Sequence, residues 1–170
     1  PVVSLLSSCW FARQPQAQPP IKVTAMNLPP THRILLVLSN PSVAPPLLLG
    51  QEVRAIFECI RLAGQSEQMQ ITPLFAATIH DLRRALLREN FTMVHFLGHG
   101  QAGDQALLFE NGKGGLHAPP VSALAELLAG YPSIECVLLN ACYTAQQAEQ
   151  IAAQGIPFVV AMDGPIQDDA

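Results

Sequence analysis

The sequence predicts an α/β protein of three layers, in which a doubly wound, mostly parallel sheet has helices on both faces. Short apolar runs alternate along the chain with stretches of helical periodicity, as is typical of parallel strands joined by crossover helices. The 170 residues are enough for one domain with a substantial core. A composition of 49% hydrophobic and 13% charged residues also favours a compact fold over a disordered chain.

The first 31 residues differ from the rest and are interpreted as a tail or linker. They contain the Pro- and Gln-rich stretch RQPQAQPP and two more prolines in NLPPTHR, which suits a tether. Residues 32–170 are interpreted as the folded domain. The chain begins with proline and ends in QDDA, which resembles the start of a helix. We therefore expect further sequence before it, and a domain that is incomplete at its C-terminus.

The first half of the domain is predicted to contain three strands and two helices. RILLVLSNP is a continuous apolar run closed by a turn, as in a strand buried on both faces. LLLGQEVRAIFECIRLAG has apolar residues at helical spacing: Leu49, Val53, Ile56, Phe57 and Ile60. The strand MQITPLFAA contains Pro73, which favours an edge position. The helix IHDLRRALLREN and the strand FTMVHFLG follow.

The second half begins with a hairpin and returns to the alternation of helix and strand. Asn111-Gly112 between apolar runs predicts the hairpin. The next elements are the helix PVSALAELLAGYP, the strand IECVLLNA, the helix TAQQAEQIAAQG and the strand IPFVVAMDG. Cys136 in the fourth strand and Cys59 in the first helix are interpreted as core residues.

Composition also excludes several classes of function. The net charge is −4 and the basic residues are scattered, so no basic stripe indicates a nucleic-acid partner. No apolar run approaches the length of a membrane span, and the apolar N-terminal stretch lacks the basic residues of a signal peptide. The four cysteines form no CxxC pair, which favours a reduced, cytoplasmic setting.

Two strands of the predicted sheet end in reactive side chains. The third strand runs into Gly98-His99-Gly100, and the fourth runs into Asn140-Ala141-Cys142. Functional groups gather beyond the carboxyl ends of parallel strands, so His99 and Cys142 are expected side by side if these strands are neighbours. An imidazole next to a thiol can take its proton and make it a nucleophile. We expect the flanking glycines to clear space for a substrate.

The segment after Cys142 favours the same chemistry. Thr144 and Gln147 fit a capping box, which would place Cys142 just before a helix N-terminus, where negative charge is favoured. Backbone N–H groups near Gly100 and Cys142 could then form an oxyanion hole.

These residues resemble a known group of enzymes. VHFLGHG, followed 43 residues after its histidine by the cysteine of VLLNAC, is similar to the caspase-like cysteine peptidases (the clan of caspases, metacaspases and separases) and most closely to the bacterial CHAT domains. QALLFENGKGG resembles the hairpin of that family, and GIPFVVAMDGPIQDDA resembles its strand and loop after the cysteine helix. The resemblance extends over residues 32–170, and it implies a three-layer caspase-like fold that lacks its last helix and strand.

The resemblance also implies a function and its residues. It implies a cysteine endopeptidase with His99 as general base, Cys142 as nucleophile, and the amides of Gly100 and Cys142 as the oxyanion hole. Asn140 falls where relatives place a residue of the substrate pocket, and a neutral Asn indicates neither a basic nor an acidic preference. Tyr143 stands where many relatives have a smaller or charged residue. No metal or organic cofactor is implied.

The resemblance extends to partners as well. It implies a protein or peptide substrate and a sensor or regulatory domain, in the same or a neighbouring chain, in bacterial signalling or defence. Asp163 and Asp168, after the fifth strand, are candidates for substrate binding, although residues at such positions more often cap turns.

Three alternatives stay open. A zinc site of His95, His99 and Cys142 is disfavoured, because strand geometry separates the two histidines by about 13 Å. A non-catalytic caspase-like domain that binds other proteins is the main alternative function. A flavodoxin-like nucleotide-binding module is disfavoured, since no Gly-rich phosphate fingerprint follows the first or the fourth strand.

Overall fold

The computed structural model of the chain describes residues 32–101 and 106–164. The interpretation of residues 1–31 as a tail and the candidate residue Asp168 therefore lie outside the described residues. The described elements, in chain order, are β1 His32–Ser39, α1 Leu49–Leu62, β2 Met69–Leu74, α2 Ile79–Arg88, β3 Met93–Gly98, β4 Gly100–Gln101, β5 Ala106–Leu107, β6 Phe109–Glu110, β7 Leu116–His117, α3 Val121–Ala129, β8 Cys136–Asn140, α4 Ala145–Ala153 and β9 Phe158–Val160.

Five of these strands form one parallel sheet, in the order β2-β1-β3-β8-β9. The predicted α/β fold, with a parallel sheet and helices on both faces, is confirmed, and it has the three layers of a caspase-like domain. The chain goes from β1 to β2 in one direction and then returns to place β3 on the other side of β1. The carboxyl ends of β1 and β3 therefore flank a topological switch point, where open α/β sheets place their ligands.

The two faces of the sheet carry different layers. One face packs against α2, α3 and α4, and its core includes Leu35, Val37, Val94, Phe96, Val137 and Leu139. The opposite face buries Leu36, Leu38 and Leu97 against α1. This division follows from right-handed crossovers, because connections that run in opposite directions along a sheet emerge on opposite faces.

The face covered by α1 is only partly closed by the described residues. Because side chains alternate along a strand, the paired residues His95, Leu138 and Val160 point to this face, and so does Phe158, two residues before Val160 in β9. Phe158 is 66% exposed and Val160 is 52% exposed. The part of the sheet formed by β8 and β9 therefore presents an open apolar surface, which we call the open face.

Several local predictions can be compared with the structure. Pro73 lies in β2, which is an edge strand of the sheet as predicted, and Asn111 and Gly112 lie in the turn between β6 and β7. The interpretation of Cys59 as a core residue is wrong, and Phe57, expected on the buried side of α1, is 45% exposed. Both point away because α1 is covered by the sheet on one side and by no other described helix.

Helix α2 begins with a capping box that the sequence analysis did not identify. The Thr78 hydroxyl accepts a hydrogen bond from the Asp81 backbone, and the Asp81 carboxylate accepts one from the Thr78 backbone. A further hydrogen bond from the Thr78 hydroxyl, 2.7 Å long, lowers the pKa of Asp81. The positive end of the helix dipole also stabilises a carboxylate at this position.

Candidate active site

The candidate residues His99 and Cys142 follow two neighbouring strands at the same edge of the sheet. In the register of β3 and β8, Leu97 lies opposite Asn140, so His99 and Cys142 each come two residues after this pair. Their proximity was expected if the two strands were neighbours, and β3 and β8 are paired. Both residues are half-exposed at the carboxyl edge.

Direct contact between the two loops occurs at Gly100. A Cβ atom at this position would overlap the carbonyl oxygen of Cys142 and would lie 2.9 Å from its carbonyl carbon and 3.3 Å from its nitrogen. Only glycine permits so close an approach of two backbones. The histidine loop and the cysteine loop are therefore packed against each other main chain to main chain.

This packing corrects the explanation given above for the glycines. The space beside Gly100 is filled by the backbone of Cys142, not left open for a substrate. A Cβ at Gly98 would similarly lie 2.5 Å from the carbonyl oxygen of Ser39, in the neighbouring strand β1. The two glycines are needed because the protein's own main chain passes close to them on each side of His99.

The imidazole of His99 is held by a backbone carbonyl. Its Nε2 lies 2.8 Å from the carbonyl oxygen of Pro45, in the loop between β1 and α1. Because a carbonyl oxygen only accepts, Nε2 must carry the hydrogen in this contact. In the neutral ring the lone pair then belongs to Nδ1, which is the nitrogen able to take a proton.

The turn after Cys142 is fixed by the segment that follows β9. Tyr143 has a φ of +56°, in the left-handed region, and its N–H donates to the Gly164 carbonyl over 3.3 Å. The Thr144 N–H donates to the Met162 carbonyl over 2.9 Å. This pairing explains the sharp bend by which the chain leaves β8 and enters α4.

The predicted capping box of Thr144 and Gln147 is wrong. Thr144 is the residue before α4, but its side chain makes no capping hydrogen bond. Its buried hydroxyl donates to the Ala141 carbonyl over 3.1 Å and accepts from the Met162 N–H over 3.2 Å. Gln147 is fully buried and does not reach back to the helix start. Cys142 nevertheless lies three residues before the first residue of α4, near the positive end of its dipole.

The candidate substrate residue Asn140 has an acidic partner. Its side-chain N–H donates to the carboxylate of Glu52, in the first turn of α1, over 2.7 Å. Neither Glu52 nor the Pro45 carbonyl was predicted from the sequence. Glu52 could have been suggested by its position at the start of the helix that leaves the same edge of the sheet, whereas a main-chain carbonyl leaves no signal in the residue type.

Asp163 is exposed in the segment after β9, between the two residues whose carbonyls bond the Cys142 turn. Its position beside this turn agrees with the location expected of it, and its role in substrate binding stays a prediction. Within residues 32–101 and 106–164, no group of three or more His, Cys, Asp and Glu side chains is arranged to hold a metal ion. No described helix is long and apolar enough to cross a bilayer.

Comparison with known proteins identifies a family. The family model of the CHAT domain matches the chain over residues 1–170, so the match includes the 31 residues before β1. A search of the curated proteins finds no match.

Proposed function

This chain belongs to the CHAT domain family, a family of caspase-like cysteine peptidases, and from this premise we propose that it is a cysteine endopeptidase that cleaves peptide bonds with His99 and Cys142. The observation that carries the proposal is the backbone contact between Gly100 and Cys142. It packs the loop of the candidate base against the loop of the candidate nucleophile. The hydrogen bond from His99 to Pro45 supports the assignment, because it leaves Nδ1 as the basic nitrogen.

The proposed reaction has two stages. Nδ1 of His99 takes the proton from the Cys142 thiol, and the thiolate sulfur attacks the carbonyl carbon of the peptide bond. The amides of Gly100 and Cys142 would donate to the oxygen that becomes negative. The tetrahedral intermediate collapses as the C–N bond breaks, and the imidazolium gives its proton to the leaving amine. Water, deprotonated by His99, then attacks the thioester and releases the acid product together with the thiol.

Substrate recognition is proposed to involve Asn140, Asp163 and Asp168, with Glu52 added from its hydrogen bond to Asn140. The Glu52 carboxylate places negative charge next to the side chain two residues before the nucleophile. A basic substrate residue would pair with it better than an acidic one, since like charges repel in a partly desolvated pocket. We therefore propose a preference for Lys or Arg before the cleaved bond.

The proposed setting is that of a bacterial cytoplasmic effector in signalling or defence. Its partners would be a protein or peptide substrate and a sensor or regulatory domain that controls access to the site. The reaction as proposed requires neither a metal nor an organic cofactor, since both proton transfer and nucleophilic attack are carried out by side chains.

We test this function with single substitutions at the candidate pair. The full-length protein is incubated with fluorogenic peptides that carry Lys, Arg, Asp or Ala before the cleaved bond, together with any sensor domain and its trigger. Cys142→Ala and His99→Ala are each expected to reduce kcat/KM by about 10³-fold or more, because nucleophile and base act as one unit. The measurement is the initial rate of release of the fluorophore.

The matched control is Cys59→Ser, which changes an exposed thiol on α1 and should leave kcat/KM unchanged. A second readout needs no substrate: the alkylation rate of each cysteine by iodoacetamide. Cys142 should react fastest and should slow in His99→Ala, whereas Cys136 should stay slow, because burial raises the pKa of its thiol. Intact peptides, combined with a Cys142 rate that does not respond to His99→Ala, would favour a non-catalytic interaction domain instead.

A further inference from the structure

The loop between β1 and α1 presents one carbonyl group to the candidate base. Pro45 and Pro46 occupy the middle of this loop, and the Pro45 oxygen receives the Nε2 hydrogen of His99. The ring of Pro45 fixes its φ, and the following proline restricts its ψ to extended values. The direction of the Pro45 carbonyl is therefore set within the loop itself. What remains to be fixed is the position of the loop relative to the sheet.

Asn40 fixes that position. It follows the last residue of β1, and its side chain bonds both polar groups of the Leu47 main chain. Its Nδ2 donates to the Leu47 carbonyl over 3.3 Å, and its Oδ1 accepts from the Leu47 N–H over 3.4 Å. An amide carries its donor and its acceptor on two separate atoms, so one side chain can pair with both the N–H and the carbonyl of Leu47. The loop that contains Pro45 is thus closed at its two ends by one residue.

The loop has further contacts besides this closure, among them a hydrogen bond from the Ser42 hydroxyl to the Gly114 carbonyl in the hairpin between β6 and β7. Within it, the Ala44 N–H donates to the Pro41 carbonyl over 2.9 Å. The Leu47 side chain packs against the apolar cluster beneath α1, so the far end of the loop rests on the core. If Asn40 releases the Leu47 backbone, the segment of 40–47 loses the closure that holds Leu47 beside the end of β1, while Ser42 still connects its first half to the hairpin. The Pro45 oxygen moves with that segment.

We propose that Asn40 is a positioning residue for the peptidase reaction, which acts through Leu47 and the Pro45 carbonyl to hold the proton of His99 on Nε2. The inference rests on the proposed function for its effect on catalysis, but its effect on His99 is independent of any activity. When the acceptor is displaced, the neutral imidazole loses the contact that distinguishes its two nitrogens and holds its ring. A fraction of the molecules then carries the hydrogen on Nδ1 and cannot deprotonate the thiol.

The test compares Asn40→Ala and Asn40→Asp with a matched control. Asn40→Asp keeps the acceptor and the size but loses the donor. The control is Thr92→Val, which also removes a side chain that bonds both polar groups of one main-chain residue, but that residue is Arg33, near the amino end of β1. Each protein is first compared with the unsubstituted chain by its thermal unfolding.

The first readout is the ¹⁵N NMR spectrum of the neutral His99 ring. In the unsubstituted protein, Nε2 should show the shift of a protonated nitrogen and Nδ1 that of a nitrogen with a lone pair. In both Asn40 variants the two shifts should move toward each other, and in Thr92→Val they should stay apart. This readout stands even if the protein cleaves no peptide, so it separates failure of this inference from failure of the proposed function.

The second readout is kinetic. Both Asn40 variants should lower kcat by about 10- to 100-fold, the usual effect of misplacing a catalytic group by about 1 Å, with KM changed less than about 3-fold. A purely structural role would lower the amount of folded enzyme and would leave the ring shifts unchanged. Ring shifts and kcat that stay those of the unsubstituted protein, or that change equally in Thr92→Val, would overturn the inference.

A third measurement covers the case in which both Asn40 variants fail to fold. In the unsubstituted protein, the Leu47 amide should exchange its hydrogen with solvent at least about 10-fold more slowly than an unstructured Leu amide, because Asn40 accepts it. Exchange at the rate of an unstructured peptide would show that the clamp is absent in solution, and the inference would fail.

Discussion

His95 sits in surroundings that oppose its charge. It lies in β3 between Leu36 of β1 and Leu138 of β8, and its Nε2 is buried without a hydrogen-bond partner among the described residues. Burial lowers its pKa from 6.5 to about 4. His99, four residues later, follows the end of β3, and its imidazole has a carbonyl partner. The two histidines therefore differ in environment: the Nε2 of His95 is buried without a partner among the described residues, whereas the Nε2 of His99 is bonded to a carbonyl oxygen.

This contrast predicts how stability depends on pH. Between about pH 6.5 and 4 the unfolded chain binds a proton at His95 that the folded chain does not, so stability falls as the pH is lowered through this range. The loss from pH 7 to pH 5 should reach about 2 kcal/mol in the free energy of unfolding. Urea unfolding at the two pH values measures it, and His95→Leu should remove that part of the difference.

Carboxylates also make the free energy of unfolding depend on pH. Their contribution is the same in each variant and its parent, so it cancels when the two are compared at the same pH. His80→Leu serves as the control, because His80 is exposed at the start of α2. Equal acid losses in the parent and in His95→Leu would contradict the burial of a neutral imidazole.

At the residue scale, the sequence predicted that His99 and Cys142 follow neighbouring strands, as they do, but it did not predict the groups that contact them. The ends of two apolar runs pointed to His99 and Cys142 because strand ends can be read from composition and turn residues. The Pro45 carbonyl and the Glu52 carboxylate could not be assigned in the same way. Their roles depend on which loop lies beside which strand, and this follows from the strand order and not from residue types.

At the scale of elements, the turn between β8 and α4 depends on a segment from the far end of the domain. The Thr144 hydroxyl connects the Ala141 carbonyl to the Met162 N–H, which follows β9. The Thr-x-x-Gln pattern fits a capping box, but the pattern cannot show that a later segment competes for the same hydroxyl. Misassignment of this cap has the same cause as the exposure of Phe57 on α1: both depend on neighbours distant in sequence.

Removal of the Thr144 hydroxyl should therefore weaken this connection. Thr144→Val keeps the shape but leaves the Met162 N–H without its acceptor, which should cost about 1–3 kcal/mol of unfolding free energy. Thr144→Ser, which retains the hydroxyl, is the matched control and should lose less. Urea unfolding measures both. A valine variant as stable as the serine variant would show that the hydroxyl does not hold the two segments together.

At the scale of the whole molecule, the strand order determines which strands are neighbours and which face each helix covers, and the alternation of helices and strands did not predict these features. The alternation predicted a parallel sheet with helices on both faces, and the structure has both. It did not predict that β1 lies between β2 and β3, or that three described helices share one face while α1 covers the other. These features follow from the pairing of distant strands, which local periodicity does not encode.

The open face over β8 and β9 predicts that the protein binds apolar dyes and self-associates at high concentration. Contiguous exposed apolar side chains bind apolar dyes and promote association. Phe158→Glu should lower the fluorescence of a bound naphthalene dye and the light scattering of concentrated solutions. It should leave alkylation of Cys142 unchanged, because Phe158 lies at the amino end of its strand, away from the carboxyl edge.

Leu87→Glu is the control for this change, since Leu87 is 77% exposed on α2, on the opposite side of the sheet. It introduces the same charge at an isolated apolar residue and should alter dye binding much less. Equal effects of the two substitutions would show that the open face has no special affinity for apolar compounds.

The contact between Gly100 and Cys142 has one more consequence, which concerns the nascent polypeptide. During translation the histidine is made 43 residues before the cysteine, and the two meet only after β8 has paired with β3. A chain still emerging from the ribosome thus holds one half of the pair, without its counterpart. Under the proposed function, which needs both residues, peptide cleavage would be withheld until β8 has paired with β3, so an unfinished copy would not cleave nearby polypeptides.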